Sequence, residues 1–592
     1  MMNNYNSRKP VFFILLFLTV VIFQHCANVI APVGGPRDIT PPKVIQSTPP
    51  NQSTNFTGNK FSLRFDEFVK LEKINQQLLI SPPMVNFPTV KLKGKELHLM
   101  FNDALKPNTT YSVFFGDAIQ DITEGNALHN YSYVFSTGNT IDSLSLRGKV
   151  VDAFDLKPVG DVTVMLYKNN NDSLPLDSLP LYVKPYYISK TNKNGDFRFS
   201  GLADTSYLLF ALLDQNYSMT FDQPSEKIAF IDSMVIPQFR AIPHIDSSLF
   251  DTITNLPHDS LQLLIDSLWN RADSLADNTL RLHTLYLFSQ PDTVQKLLKA
   301  ELLRKNTLRF IFRNPVDSLH ITSLNFNPDN VWYLPEWGKE KDTLMWFLRK
   351  NHPDTLKLIV ADGSNILDTL DIRAIPKEKF SKRKKKSNEA KKAYLNWHPN
   401  LQGNIKPGQT LQITFDYPIR SIYWDSTFLI NGKDTVRQPA FRFIDSLHRK
   451  IQIPFTVKPN TSYQLLIPDS AVIDWNGLHN KSIRLNLKSK AEKEYGSITF
   501  NLQPSHLQHY IFQILKDKDE IIKQVFFSKP QKLKIGNLDP NTYKFKIIFD
   551  SNNNKKWDSG NYFRKQEPEK VIYYNKTIKV RPNWEVSEVW KF

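Results

Sequence analysis

The feature that most limits what this chain can fold into is a sentence written twice. Lys106-Pro-Asn-Thr-Thr-Tyr111 returns as Lys458-Pro-Asn-Thr-Ser-Tyr463. Pro presets φ and Asn tolerates left-handed backbone, so each phrase encodes a turn. The Tyr then opens an alternating run: Tyr111, Val113, Phe115 in one copy and Tyr463, Leu465, Ile467 in the other. Period-two alternation is the mark of a half-buried strand. Upstream, "FSLRFD" (61–66) matches "LQITFD" (411–416). Downstream, Asp121, Gly125 and Leu128-His129-Asn130 match Asp474, Gly477 and Leu478-His479-Asn480. Each copy is near 100 residues, the size of one β-sandwich.

These motifs resemble a bacterial Ig-like domain, in which a corner Tyr hydroxyl satisfies nearby backbone. A second repeat follows each copy. "GLADTSYLLFALLDQNYSMTFDQPSEK" (201–227) aligns with "NLDPNTYKFKIIFDSNNNKKWDSGNYFRKQEPEK" (537–570). With "LRGKVVDAFDLKPVGDVTVMLYK" and "NGDFRFSGL", the first of these resembles the carboxypeptidase regulatory-like, transthyretin-type sandwich. The expected fold is therefore mostly β: an Ig-like and transthyretin-like pair, duplicated, with one short helical insertion. The expected order is an Ig-like domain at 43–139, a carboxypeptidase regulatory-like sandwich at 143–235 and a helical insertion at 236–280. A β-domain at 281–375, a second Ig-like domain at 395–490 and a second transthyretin-like sandwich at 494–592 complete it. Leu261, Leu264, Ile265, Leu268, Ala272 and Leu275 carry the helical spacing. The segment 376–394 is rich in like charges and poor in apolar residues, which predicts a solvated linker.

The first residues set the expected compartment. Arg8 and Lys9 precede an unbroken apolar run from Val11 to Phe23, short of the ~20 residues a membrane span needs. Cys26 follows, the one cysteine in 592 residues. This arrangement resembles a bacterial lipoprotein signal, with 1–25 removed, Cys26 diacylated and 26–42 a Pro/Gly-rich tether. Two acyl chains anchor a soluble body to a bilayer. Cys-Ala-Asn, Gly-Gly-Pro-Arg-Asp and Pro-Pro in 26–42 resemble the opening of a Bacteroidetes Ig-like outer-membrane lipoprotein family. That resemblance implies an outer-membrane anchor, with the facing side open, and no activity. With a single cysteine, no internal disulfide is available and apolar packing must hold the fold. Loss of 1–25 removes two positive charges from the net +17, leaving +15. In an exported chain that charge suits lipid phosphates or acidic envelope proteins, and nucleic acid is not an expected partner.

Sites for chemistry are sparse. No metalloprotease, nucleophile-elbow or phosphate-loop motif is present, so no catalytic residue is assigned and an enzyme is not expected. Asp550, Asn552, Asn554 and Asp558 stand at positions one, three, five and nine of a calcium-like loop. Lys555 replaces the expected Gly and Asn561 the expected Glu, and a turn held by Asx hydrogen bonds uses the same residues. The twin loop keeps Asp214, Asn216 and Asp222. Trp332, Trp337 and Trp346 are candidate platforms for a glycan, with core packing as the ordinary use of each. Eleven Asp-Ser/Thr-Leu triplets, from Asp142 to Asp445, resemble the O-glycosylation sequon of the same phylum and equally suit strand and helix starts. The leading expectation is a non-enzymatic, lipid-anchored envelope scaffold, an accessory of outer-membrane protein assembly or secretion. A glycan-binding or adhesive surface lipoprotein and an accessory to a hydrolase are the alternatives.

Overall fold

A computed structural model describes residues 38–129, 131–168, 175, 178–240, 275–276, 278–328, 332–349, 352–376 and 393–592. Cys26, the 1–25 segment, most of the tether, most of the helical insertion and most of the basic linker lie outside the described residues, and the described start of that insertion is not helical: Gln238–Phe239 is a short strand paired with Leu144 and Ser145. The fold is mostly β, in paired sheets that enclose successive apolar cores.

The twinned phrases build twin sandwiches. In the first, Lys60–Phe65 lies between Val44–Thr48 and Glu96–Met100, facing a sheet of Leu79–Ser81, Thr110–Phe114 and Ser132–Ser136. In the fourth, Leu411–Phe415 lies between Trp397–Pro399 and Lys450–Ile453, facing a sheet centred on Ser462–Ile467. The alternating residues point inward: Tyr111, Val113, Phe115, Tyr463, Leu465 and Ile467 are all buried. Asn108 and Asn460 adopt φ of 48° and 49°, the left-handed geometry that Asn tolerates. The Tyr111 hydroxyl accepts the Lys106 N–H at 2.8 Å, and Tyr463 accepts that of Lys458 at 2.6 Å. The corner expected from sequence is present in both copies.

The second and fifth sandwiches share an order of strands as well as a motif. In the fifth, Gly496–Gln503 pairs antiparallel with Gln531–Leu538 and parallel with the last strand, Glu585–Lys591. In the second, Leu144–Asp152 pairs antiparallel with Asp196–Leu202 and parallel with Leu282–Ser289. Leu282–Ser289 thus completes the second sandwich, although sequence order groups it with the β-domain that follows. Its Leu285 and Leu287 are fully buried in the second core. The segment 241–274 therefore interrupts a sandwich between its last two strands. The third unit then folds from Leu297 to Arg373 around Phe310, Trp346 and Leu358.

The chain closes on itself. A loop of the fifth sandwich inserts Tyr562, 4% exposed, into a core whose other buried members all belong to the second. The Tyr562 ring meets Phe210, Phe221 and Phe230 edge-on at 5.6–6.2 Å between centroids. Its N–H donates to Gln290 Oε1 at 2.7 Å, and Ser559 Oγ donates to the Ser289 carbonyl at 2.6 Å. Gly560 is required there, since a Cβ would lie 2.8 Å from the Phe288 ring. Beside this contact Leu156 packs on Ile511, Ile548 and Val571. The third and fourth units are joined by Arg449 and Lys450 on Glu336 at 2.9 Å each, and by Arg304 on Asp416. Lys406 pairs with Asp539 between the fourth and fifth.

One cation is buried in the closing contact. Lys546, 1% exposed, donates to the Phe154 carbonyl at 2.6 Å and stands 3.2 Å over the Phe154 ring. Burial pulls its pKa down to about 8, opposed by the nearby Asp155, Asp519 and Asp152 carboxylates. Between pH 8 and the ordinary lysine range the unfolded chain binds the extra proton, so folding stability rises with pH across that window. The gain is about 3 kcal/mol at 1.36 kcal/mol per pKa unit. Chemical denaturation at pH 7.5 and pH 10 should show that rise in the wild type relative to Lys546→Met. Tyr562→Ala should cost about 3 kcal/mol through the cavity it leaves. Small-angle scattering should then show an expanded particle, since the two sandwiches lose their shared core.

Candidate functional site

The Asp/Asn loops are densely hydrogen-bonded, and the two copies are built alike. The fifth-sandwich loop leaves the strand Asn541–Asp550, which ends on a buried carboxylate. Asp550 accepts the N–H groups of Asn554 at 3.1 Å and Lys555 at 3.0 Å. Asn552 Oδ1 shares the Asn554 N–H at 3.0 Å, and its amide donates to Asp558 Oδ2 at 2.5 Å. Asn554 donates to the same oxygen at 2.6 Å. The four residues singled out from sequence are therefore brought together.

A fifth residue completes the loop and was missed. Glu569, 7% exposed, accepts Ser551 N–H at 2.7 Å, Ser551 Oγ–H at 2.8 Å and Asp558 N–H at 3.1 Å. Burial pushes its carboxyl up, against the hydrogen bonds from Ser551 and Asp558. The twin is Glu226, fully buried, accepting Gln215 N–H at 3.1 Å and Gln223 N–H at 3.3 Å. Its carboxyl too is pushed up by burial. The signal was in the aligned segments: both end in Glu-Lys shortly after a Pro, "QPSEK" and "EPEK".

In this arrangement the loop oxygens already accept protein N–H groups. Among the described residues no group of three or more His, Cys, Asp or Glu side chains is arranged to hold a metal ion. What the bonded loop does achieve is presentation. Trp557 donates its indole N–H to the Glu569 carbonyl at 2.9 Å and lies 5.0 Å from the Phe154 ring of the second sandwich. The same loop carries Tyr562. The candidate ligand residues thus shape the element that closes the molecule.

Other sequence candidates fall elsewhere. Trp346 is 1% exposed, and Trp332 stacks edge-on against it at 5.1 Å, so both serve the third core. Trp337 is 38% exposed and lies 6.3 Å from Phe312. The three do not form a shared platform. His129 accepts or donates at Asp117 Oδ1, 2.7 Å away, and His479 does so at Ser470 Oγ, 2.9 Å away. The triplet hydroxyls at Ser143, Ser318, Thr343 and Thr355 stand at or just before strand starts. Among the described residues no helix is long and apolar enough to cross a membrane.

The aromatic residue that sequence reading passed over is Trp475. It is 42% exposed and stands at the seam between the third and fourth units, where the Arg349 guanidinium lies 4.3 Å from its ring centroid. A cavity of about 260 Å³ opens there.

The loop's hydrogen bonds set an expectation. Asp550→Asn should cost about 1–2 kcal/mol, because a charge-assisted pair of N–H bonds becomes neutral. The cost should be equal in chelator and in millimolar calcium. A wild-type melting temperature that rises with calcium, and that Asp550→Asn no longer raises, would return a cation to the loop.

No curated protein matches the chain. Among solved structures it is similar to the S-layer protein rSbsC(31-844), at 11% identity over 86% of this chain, with a TM-score of 0.13. The chain spans 65% of that protein's length. It is similar to BcpA, the major pilin subunit of Bacillus cereus, at 10% identity over 76% of this chain and 99% of that one, with a TM-score of 0.14. It is also similar to the Bacillus anthracis TIE protein, at 9% identity over 99% of this chain and 79% of that one, with a TM-score of 0.14. Within the chain, residues 38–137, which hold the first of the twin sandwiches, match the family described as "Bacterial Ig-like domain".

Proposed function

We propose that this chain is a non-enzymatic scaffold of the bacterial cell envelope, an Ig-like lipoprotein held at the outer membrane through diacylated Cys26. The single observation that carries the reading is the closure of the fifth sandwich on the second through Tyr562. Four packed units tied in this way form one body that positions outward-facing strands, which is what a scaffold requires. The Ig-like match over 38–137 and the lipoprotein-like context of Cys26 support the same reading.

The fifth sandwich offers a surface for partners. Glu520–Phe527 is the edge strand of its sheet, with unpaired backbone groups along one side. Ile521, Ile522 and Phe526 are 40–48% exposed on it. An extended segment of another protein adds to such an edge by backbone pairing and sets its side chains on the apolar positions. Strands of outer-membrane proteins in assembly or secretion have that chemistry.

The test is recovery of the full-length protein from native envelopes. Mass analysis should find two acyl chains on Cys26, and co-purified proteins should include barrel-assembly or secretion components. Ile522→Lys with Phe526→Lys should reduce that recovery severalfold while leaving acylation intact. A free Cys26 thiol, or a hydrolytic rate measured on the purified chain, would overturn the reading.

A further inference from the structure

The closing contact between the second and fifth sandwiches leaves a cavity of about 250 Å³ between them. Phe230, Tyr286 and Phe288 of the second line one wall, and residues 567–571 of the fifth line the other. Tyr286 and Phe288 alternate along their strand with Leu285 and Leu287, which fill the second core. The two aromatic side chains therefore point away from that core and toward the fifth sandwich. Phe230 and Phe288 belong to the cluster around Tyr562, whereas Tyr286 is 44% exposed.

One charged group on this cavity has no counterpart. Among the described residues Glu567 makes no hydrogen bond and no ion pair, and it is exposed. Burial of part of the carboxyl and the nearby Asp232 carboxylate push its pKa up, with no cation to oppose them. Its neighbour Glu569 is spent on Ser551 and Asp558. Lys570 also borders the cavity, but its ammonium lies 5.0 Å from the Phe549 ring and does not pair with Glu567. The cavity thus joins an unbalanced carboxylate to three aromatic rings, whose faces are themselves negative.

That combination selects a chemistry. An anion is repelled by Glu567 and Asp232. A bare metal ion wants several oxygen ligands and would find one free carboxylate among ring carbons. A neutral apolar compound leaves Glu567 unbalanced. An ammonium that carries methyl groups answers both features: the methyls pack on the rings, and the charge is attracted by the ring faces and by the carboxylate. A cavity below the ~300–1,000 Å³ of drug-sized sites suits a single head group.

We propose that this cavity binds a small organic cation with a methylated ammonium head group, held by Phe230, Tyr286 and Phe288 and balanced by Glu567. Its walls come from two sandwiches, so an occupant also stabilises the closed body. The inference uses the closure through Tyr562 and is independent of the envelope assignment.

The experiment is isothermal titration of the full-length protein, solubilised in a maltoside detergent, with choline chloride. The comparators are 3,3-dimethyl-1-butanol, the uncharged isostere of choline, and potassium chloride. Choline should bind saturably, and the alcohol and potassium each at least about tenfold more weakly. Glu567→Gln should weaken choline binding by at least about tenfold. Tyr286→Leu should weaken it by about fivefold, whereas Tyr286→Phe, which keeps the ring, should stay within about threefold of the wild type. Both positions are exposed, and melting curves should show that the variants fold. Glycerophosphocholine distinguishes the source of the head group. Binding equal to that of choline assigns a lipid-derived compound. Weaker binding, expected because Glu567 and Asp232 repel its phosphate, assigns a free cation. Absence of saturable choline binding overturns the proposal. So does the alcohol binding as tightly as choline, or choline binding that survives both Glu567→Gln and Tyr286→Leu.

Discussion

Burial of one tyrosine in another domain's core governs how this molecule is put together. Tyr562 belongs to a loop of the fifth sandwich, yet its neighbours Phe210, Phe221, Phe230 and Phe288 belong to the second. A side chain so placed cannot leave without opening a cavity in a core it did not build. The contact joins segments about 350 residues apart in sequence, and everything between them is held in a loop by it. With a lone cysteine in the chain, no disulfide does that work. Packing, backbone hydrogen bonds and the pairs around Lys157 and Asp519 must do it instead.

The Asp/Asn loop gains its meaning from that contact. A twenty-residue excursion between strands, 551–570, would ordinarily be loose. Here Asp550 ties down its start, Asp558 its middle and Glu569 its return, through backbone and amide donors. Glu569 is buried with its carboxyl pushed up, so the loop bears a desolvation cost to hold its shape. The twin in the second sandwich has the same buried Glu without a Tyr562 to present. The loop chemistry therefore serves the fold in both copies and serves docking in one.

Local chemistry was legible in the sequence. The Pro-Asn turns, the corner tyrosines and the inward alternation after them follow from residues within a few positions of one another, and the structure has them in both copies. What was not legible is non-local. Leu282–Ser289 reads as a strand wherever it stands, and only its parallel register with Arg147–Asp152 assigns it to the second sandwich. The fifth sandwich holds the key: its last strand takes the same place without an interruption. The tryptophans misled for a related reason. Trp346 and Trp332 look alike to Trp475 in sequence, and burial, which separates them, is a property of the assembled core.

The seam shows how the two copies of a duplicated phrase diverge. Asp121 to Leu128 spans seven residues in the first copy, whereas Asp474 to Leu478 spans four, so the second loop is three residues shorter. In the longer loop burial raises the Asp121 carboxyl, but N–H bonds from Gly125, Glu124 and Asn126 outweigh it and hold the pKa down. The shorter loop has N–H groups for Asp474 Oδ1 only, and Oδ2 is buried without a partner. Burial then prevails and pushes the Asp474 carboxyl up. Trp475 follows the buried Asp474 where Ile122 follows Asp121, its backbone N–H on the Pro418 carbonyl at 3.0 Å and its ring under Arg349. The second copy thus has a less satisfied carboxylate than the first, and, at its boundary with the third unit, a tryptophan where the first copy has Ile122.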